Sequence, residues 1–331
     1  MMRGAKTLTA KLRAAQYDFD LKRIERELVT LTKTDAPIHL AHPFETLTPA
    51  EYVTKALAPL CAAWPDLERR ETIVIEGHDA DGSTWLGCCG YWIGSFARPW
   101  LGILPSGHIA TMRFHEFYQI VDGKISQAQI LWDIPEVMLQ AGLWPMVPAL
   151  GREFHVPGPA TQDGLTVSGS GDAACMLVER MLVNLGNFAS GGVEAMKLEQ
   201  SWHPKFNWYG PSGIGAGRGV SGFRNWHQIP FLNAMPDRVG NPVGGHLFAE
   251  GDYVGFTAWP GMQATLSGDG WLGLAPSNQE ISLRSLDFWR VEGDLIRENW
   301  VLVDLLDVYA QLGIDVLGRM REMAKAKRLV P

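Results

Sequence analysis

The chain is poor in the residues that most often announce a chemistry. Its 331 residues hold four cysteines, Cys61, Cys88, Cys89 and Cys175. None has CxxC spacing or paired histidine ligands, so reduced and mostly buried thiols are expected. The nine histidines include no HxH or HExxH cluster, and no metal is expected. Basic residues are outnumbered, 29 Lys and Arg against 36 Asp and Glu, for a formal charge of −7. With no basic run to offset that balance, nucleic acid and anionic membrane are excluded as main partners. No stretch nears the roughly eighteen consecutive apolar residues of a membrane span, and the opening residues lack the apolar core of a secretion signal. A cytoplasmic protein without a membrane segment is expected.

What the chain has is a long internal repeat. The stretch RSLDFWRVEGDLIRENWVLVDLLDVYAQLG, residues 284–313, has an earlier counterpart RFHEFYQIVDGKISQAQILWDIPEVMLQAG, residues 113–142. Without a gap the two place Arg113 on Arg284, Glu116 on Asp287, Phe117 on Phe288, Ile125 on Ile296, Asp133 on Asp304 and Gln140 on Gln311, always 171 positions apart. The same offset joins Trp100-Leu101-Gly102 to Trp271-Leu272-Gly273, and Pro59 to Pro230. A fixed offset held over most of a domain length marks an internal duplication, and 331 residues suit two domains. The spacing divides the chain into a first domain over 1–146, a Pro-, Gly- and Ser-rich linker over 147–171, and a second domain over 172–331.

Within each copy, helical spacing comes first and strand-like alternation second. Helical patterns cover 6–31 and the segment opened by Thr48-Pro49-Ala50-Glu51, whose cap residue, first-turn proline and Glu predict a helix kinked at Pro59. Strands are expected over 72–76, 85–92, 112–121 and 125–132, the last two joined by the hairpin signal Asp122-Gly123. The second half repeats this with helices over 172–185, 193–202 and 220–235 and strands over 205–209, 251–258, 280–292 and 295–302. Helices followed by a meander predict α+β domains, each a curved antiparallel sheet over helices.

Glu116 and Asp287 share one strand position. If that face lines the hollow between sheet and helices, desolvation raises their pKa and suits them to proton transfer; the alternative is an acid on the wet face of a half-buried strand. Asp133 and Asp304, each just before a helix, read as N-caps. The Gly213–Gly219 run lacks the context of a phosphate loop and reads as a tight turn. Of thirteen tryptophans, Trp92, Trp208, Trp226, Trp259 and Trp289 are candidates to line a cavity for a flat or polycyclic ligand. Simple core packing is the plainer account of each.

The string His203-Pro204-Lys205-Phe206-Asn207-Trp208-Tyr209-Gly210-Pro211, then Met235-Pro236-Asp237 and the stretch from Asp287 to Gly313, resembles the SnoaL-like polyketide cyclases of the nuclear transport factor 2-like superfamily. The first half carries the same pattern in Ala63-Trp64-Pro65-Asp66 and Phe114–Ile125. The resemblance implies two tandem cone-shaped α+β barrels, each with an internal pocket, forming within one chain the dimer that single-domain members form between chains. It also implies acid/base chemistry without a cofactor on a small hydrophobic substrate. The family's catalytic histidine falls on Glu116 and Asp287, and its catalytic aspartate on Ile130 and Val301, so neither copy keeps the pair. Expected catalytic groups are therefore Asp287 and Glu116, with Asn299 polarising a carbonyl, and Trp208, Trp226, Trp259, Trp289, Tyr118, Trp92 and His203 touching substrate. Aldol or cyclisation chemistry, isomerisation, dehydration and hydrolysis all fit. The second possibility is a non-catalytic protein that binds a small hydrophobic ligand.

Overall fold

The computed structural model describes residues 4–241 and 244–327. The first half opens with helices α1 (Ala5–Tyr17) and α2 (Leu21–Leu31), separated where the Asp20 carboxylate caps α2 by accepting from the Arg23 amide. Two short strands follow, β1 (Ile38–Leu40) and β2 (Glu45–Leu47). The expected cap at Thr48 is a complete capping box with Glu51. It starts a helix of three parts: α3 (Pro49–Glu51), a π-helical turn (Tyr52–Leu57) and α4 (Ala58–Ala63). Pro59 lacks the N–H for a regular ladder, and the wider turn just before it is the form its distortion takes. Strands β3 (Glu68–His78), β4 (Thr84–Ser95), β5 (Ile109–Val121) and β6 (Lys124–Trp132) and helix α5 (Ile134–Gln140) complete the unit.

The second half runs α6 (Asp172–Leu185), α7 (Phe188–Ala195), β7 (Trp202–Tyr209), β8 (Ala216–Arg218), α8 (Gly219–Phe223), a π-helical turn (Arg224–Gln228), α9 (Ile229–Ala234), β9 (Val239–Gly240), β10 (Gly245–Glu250), β11 (Tyr253–Thr265), β12 (Glu280–Glu292), β13 (Leu295–Val303), α10 (Leu305–Gln311) and α11 (Val316–Lys327). Its bounds repeat the first half's at the same offset: α4 and α9, β5 and β12, β6 and β13, α5 and α10. So do its bonds. The Gln140 amide clasps both backbone groups of Thr111, and Gln311 clasps those of Ser282.

The architecture is α+β with two sheet units, but the sheets are mixed rather than antiparallel. Strand orders are β2-β1-β6-β5-β4-β3 and β10-β11-β12-β13-β7-β8, with β9 beside β11. β1 runs parallel to β6, and β7 to β13. These pairs join strands far apart in the chain, which alternation within a strand cannot reveal. The helix expected over 193–202 ends at Ala195, because Lys197 takes a left-handed backbone, a 3₁₀ turn covers Leu198–Gln200 and Trp202 already belongs to β7. The linker is docked rather than free: Arg152 bridges to Ala216, Ser170 to Glu250, the Val74 amide donates to the Gly164 carbonyl, and the Trp300 indole to the Pro157 carbonyl.

The two sheets meet through one face of β5 and of β12. Phe117 stacks on Phe288 at 4.8 Å, and His115 Nδ1 donates to the Leu286 carbonyl at 2.7 Å. Room for the rings comes from Gly87 and Gly255, where a Cβ would lie 2.9 Å from Phe288 Cε1 and 3.0 Å from Phe117 Cε1. The junction is near two-fold. Asp133 pairs with Arg113 and accepts the Ser212 amide from the other half, while Asp304 pairs with Arg284 and accepts the His42 amide from the other half. Asp304 is also the N-cap expected of it, accepting from Asp307; Asp133 makes no side-chain cap bond. Such reciprocal contacts define an isologous interface.

Candidate functional site

Because β5 and β12 give residues 115, 117, 286 and 288 to the junction, the alternating positions 114, 116, 118, 285, 287 and 289 face the concave, helix-covered side. The sheets are open rather than the closed barrels expected, and Glu116 and Asp287 sit on the concave face of each half's cone at one register: Glu116 lies between Cys88 and Ile130, Asp287 between Phe256 and Val301.

Their surroundings differ. Glu116 is fully buried and committed: its Oε2 accepts from Arg69 Nη1 at 2.7 Å and from the Tyr118 hydroxyl at 2.5 Å. Arg69 is itself buried, with its guanidinium 3.9 Å above the Phe114 ring and 5.3 Å from Trp92. Trp132 closes the space against Tyr52, Trp92 and Trp100. The first cone is thus filled by an ion pair wrapped in aromatic rings. It encloses unpaired atoms of its own, including Tyr52 Oη, Arg69 Nη2, Glu116 Oε1 and the indole nitrogens of Trp92, Trp100 and Trp132.

In the second cone the same register positions carry smaller groups. Gly240 stands for Arg69, since Arg69 pairs with Trp92 and Gly240 with Met262, the residue replacing that tryptophan. A Cβ on Gly240 would meet nothing within 4 Å. Ser285 and Val303 replace the facing pair Phe114 and Trp132. Asp287 is half-buried and, among the described residues, has no salt bridge. Burial pushes its pKa up to about 8, opposed only by the Asn299 side chain. Asn299 Nδ2 also donates to the Phe288 carbonyl at 3.0 Å and to the Trp300 carbonyl at 3.5 Å, so both its N–H groups are engaged. An uncompensated carboxyl in apolar surroundings holds its proton at neutral pH.

Several expected ligand contacts lie elsewhere. Trp208 and Trp289 do share the concave face, through the register Trp289–Asn299–Trp208. Trp92 and Tyr118 belong to the filled first cone. Trp259 instead stacks on His39 of the first half at 5.7 Å, beneath Arg284, so it is part of the junction. Trp226 is 51% exposed and lines an open cleft of about 640 Å³ with Arg152, Phe154, Tyr209 and Arg218. That cleft is on the outer side, because Asn207 and Tyr209 alternate with Trp208. His203 is half-buried at the start of β7, where Nδ1 accepts the Lys205 amide.

His227 was not anticipated. It lies on the second π-helical turn, parallel to the Trp208 ring at 4.0 Å and 13°, and burial holds its pKa down to about 3. Its signal is in the repeat: at the same offset the first half has Ala56, and beside it Leu57 for Gln228.

Among the described residues, no three His, Cys, Asp or Glu side chains are grouped to hold a metal, and no helix is long and apolar enough to cross a membrane. The four cysteines are free, and burial raises the pKa of Cys88 and Cys89.

No curated protein matches the chain. Solved structures similar to it include AclR of Streptomyces galilaeus, a proposed hydroxylase, at 19% identity over 43% of this chain and 83% of that one, with a TM-score of 0.36. IdmH of Streptomyces antibioticus, a proposed polyketide cyclase, is similar at 20% identity over 41% and 97%, TM-score 0.34. An NTF2-like protein of Burkholderia thailandensis is similar at 19% identity over 43% and 98%, TM-score 0.34. Residues 188–312 match the family model of the SnoaL-like polyketide cyclases, and the first half repeats the elements of that region at a fixed offset.

Proposed function

We propose that the second cone is a cofactor-independent acid/base site acting on a small apolar or polycyclic, polyketide-like substrate, with Asp287 as the proton-transferring group. The observation that carries this is the contrast between the copies: one carboxyl is paired with Arg69, and the other, among the described residues, has no cation beside it. A carboxyl whose pKa is raised toward the operating pH takes, in its ionised form, the proton from the carbon beside a carbonyl, and then gives that proton back at another carbon or to a departing hydroxyl, which leaves as water. Asn299 bonds the Asp287 carboxyl and is itself tied to the Phe288 carbonyl, so it holds that carboxyl in place. Trp208 and Trp289 supply flat apolar walls. Val301 at the family's aspartate position removes the usual base, so ring closure by the family's acid-base pair is not available here. Enolisation-driven isomerisation or dehydration fits the groups present better. Glu116 is assigned a structural role.

Asp287→Asn keeps the shape and removes the transferable proton. Turnover of a panel of aromatic β-keto esters, followed by liquid chromatography and mass spectrometry, is expected to fall at least about 100-fold, the range for loss of a general acid or base. Turnover at the wild-type rate would refute the proposal. The second reading, a binding protein without activity, is favoured by the loss of the family's aspartate from both copies; saturable binding with no turnover by the wild-type chain would establish it.

A further inference from the structure

Residues 150–154 give the second sheet an edge that the first sheet lacks. Gly151 and Gly215 approach so closely that a Cβ on either would lie 2.7 or 2.6 Å from the other's carbonyl carbon. There Arg152 bridges antiparallel to Ala216 of β8, whereas among the described residues no segment pairs with the outer side of β2, the matching edge of the first half. Alternation then gathers one set of side chains on one face. Asn207 and Tyr209 pair with Arg218 and Ala216. Arg152 stands across from Ala216, so Arg152 and Arg218 are diagonal neighbours about 7–8 Å apart. Phe154, two residues along, shares the face, while Glu153 turns the other way to accept the Gly213 amide. Trp226, on the second π-helical turn, completes the lining of this cleft of about 640 Å³.

The cations of this cleft are unopposed. No Asp or Glu lines it, and the Arg152 side chain has no hydrogen-bond or ion-pair partner among the described residues. Arg218 bonds to the neutral Asn207 carboxamide at 2.8 Å. The Glu298 carboxylate that the Tyr209 hydroxyl reaches is already held by Arg290 at 2.6 Å. Like charges set close across strands are destabilising, in a chain whose formal charge is −7. The rings are equally out of place: Trp226 is 51% and Phe154 49% exposed, and no other tryptophan among the described residues is so exposed. The first half has Lys55 at the place of Trp226 and the cap residue Thr48 at the place of Arg218. We propose that the cleft binds a planar aromatic anion, a ring carrying a carboxylate or phosphate, at a site separate from the Asp287 interior. The guanidinium forks take the anion through paired, charge-assisted hydrogen bonds. Trp226 and Phe154 flank the ring, and the volume is within the roughly 300–1,000 Å³ of small-molecule sites. The proposal does not depend on the chemistry of Asp287.

Isothermal titration calorimetry of the full chain with 2-naphthoate and with 2-naphthyl phosphate tests this, and the tighter of the two identifies the anionic group. Arg152→Gln combined with Arg218→Gln is expected to weaken that probe at least about tenfold, the scale of lost charge-assisted hydrogen bonds. Trp226→Ala is expected to weaken it about fivefold through the lost ring contact. All three side chains are exposed, so the melting temperature should hold. 2-Naphthamide, the same ring without the charge, is expected to bind the wild-type chain at least about tenfold more weakly than 2-naphthoate, and to be indifferent to the arginine changes. Three results would overturn the proposal: no saturable binding of either anion, equal affinity for 2-naphthamide and 2-naphthoate, or undiminished affinity in the double arginine variant, which would place the probe elsewhere.

Discussion

At residue scale, one carboxyl proton links stability to chemistry. Asp287 titrates at about 8 when folded and near 3.9 in an unfolded chain. Between those values the unfolded state has lost the proton and the folded state has kept it, so stability falls as pH rises through this window. Removing the ionisable group removes that slope: Asp287→Asn is expected to melt progressively higher than wild type from pH 5 to pH 8, by calorimetry. An unchanged difference across that range would mean the carboxyl is solvated and ordinary. The sequence made the shared position of Glu116 and Asp287 legible, since a fixed offset needs no structure. It could not show their facing, which alternation alone leaves two-valued, nor the ion pair to Arg69, which joins strands 47 positions apart. His227 lay within reach of the same comparison, as a polar residue aligned with Ala56.

The strands were legible wherever alternation ran long, as in β5, β6, β12 and β13, and the capping box at Thr48 announced its helix. β1 and β2, at three residues each, are too short to show a period, which hid the parallel pairing of β1 with β6; β7 was expected as a strand, but its parallel partner β13 lies far along the chain. The close approach of β4 and β11 to the junction shows how tightly these elements are set. Gly87 and Gly255 are the thin points of those strands, each facing a phenylalanine of the other half. Gly87→Ala and Gly255→Ala should each destabilise the chain by about 1–3 kcal/mol through overpacking, read as a lower urea midpoint. A neutral result at both would show that the rings have slack and that the sheets are not closely packed.

On the scale of the whole molecule, the two halves are held by a pair of reciprocal aspartates of unequal weight. Asp133 and Arg113 are both buried, whereas Arg284 is 17% exposed and has Glu45 and Asp307 as further partners. Breaking a buried pair on one side is the costlier change. Asp133→Asn should lower stability by about 3 kcal/mol or more, and Asp304→Asn by less, because Arg284 keeps Glu45 and Asp307 as partners, measured by urea titration; equal losses would remove the asymmetry. Two sheet units were legible from length and repeat, but the composition of residues 147–171 gave no sign that they pack along both sheets. The arginine opposite Glu116, with glycine as its counterpart, has a further consequence. In a pair of identical subunits, any substitution that plugs one chamber plugs its twin, so selection cannot trade one for the other. Joining the subunits end to end lifts that symmetry: one copy can harden into a permanent scaffold while its sibling is left free to change what it holds.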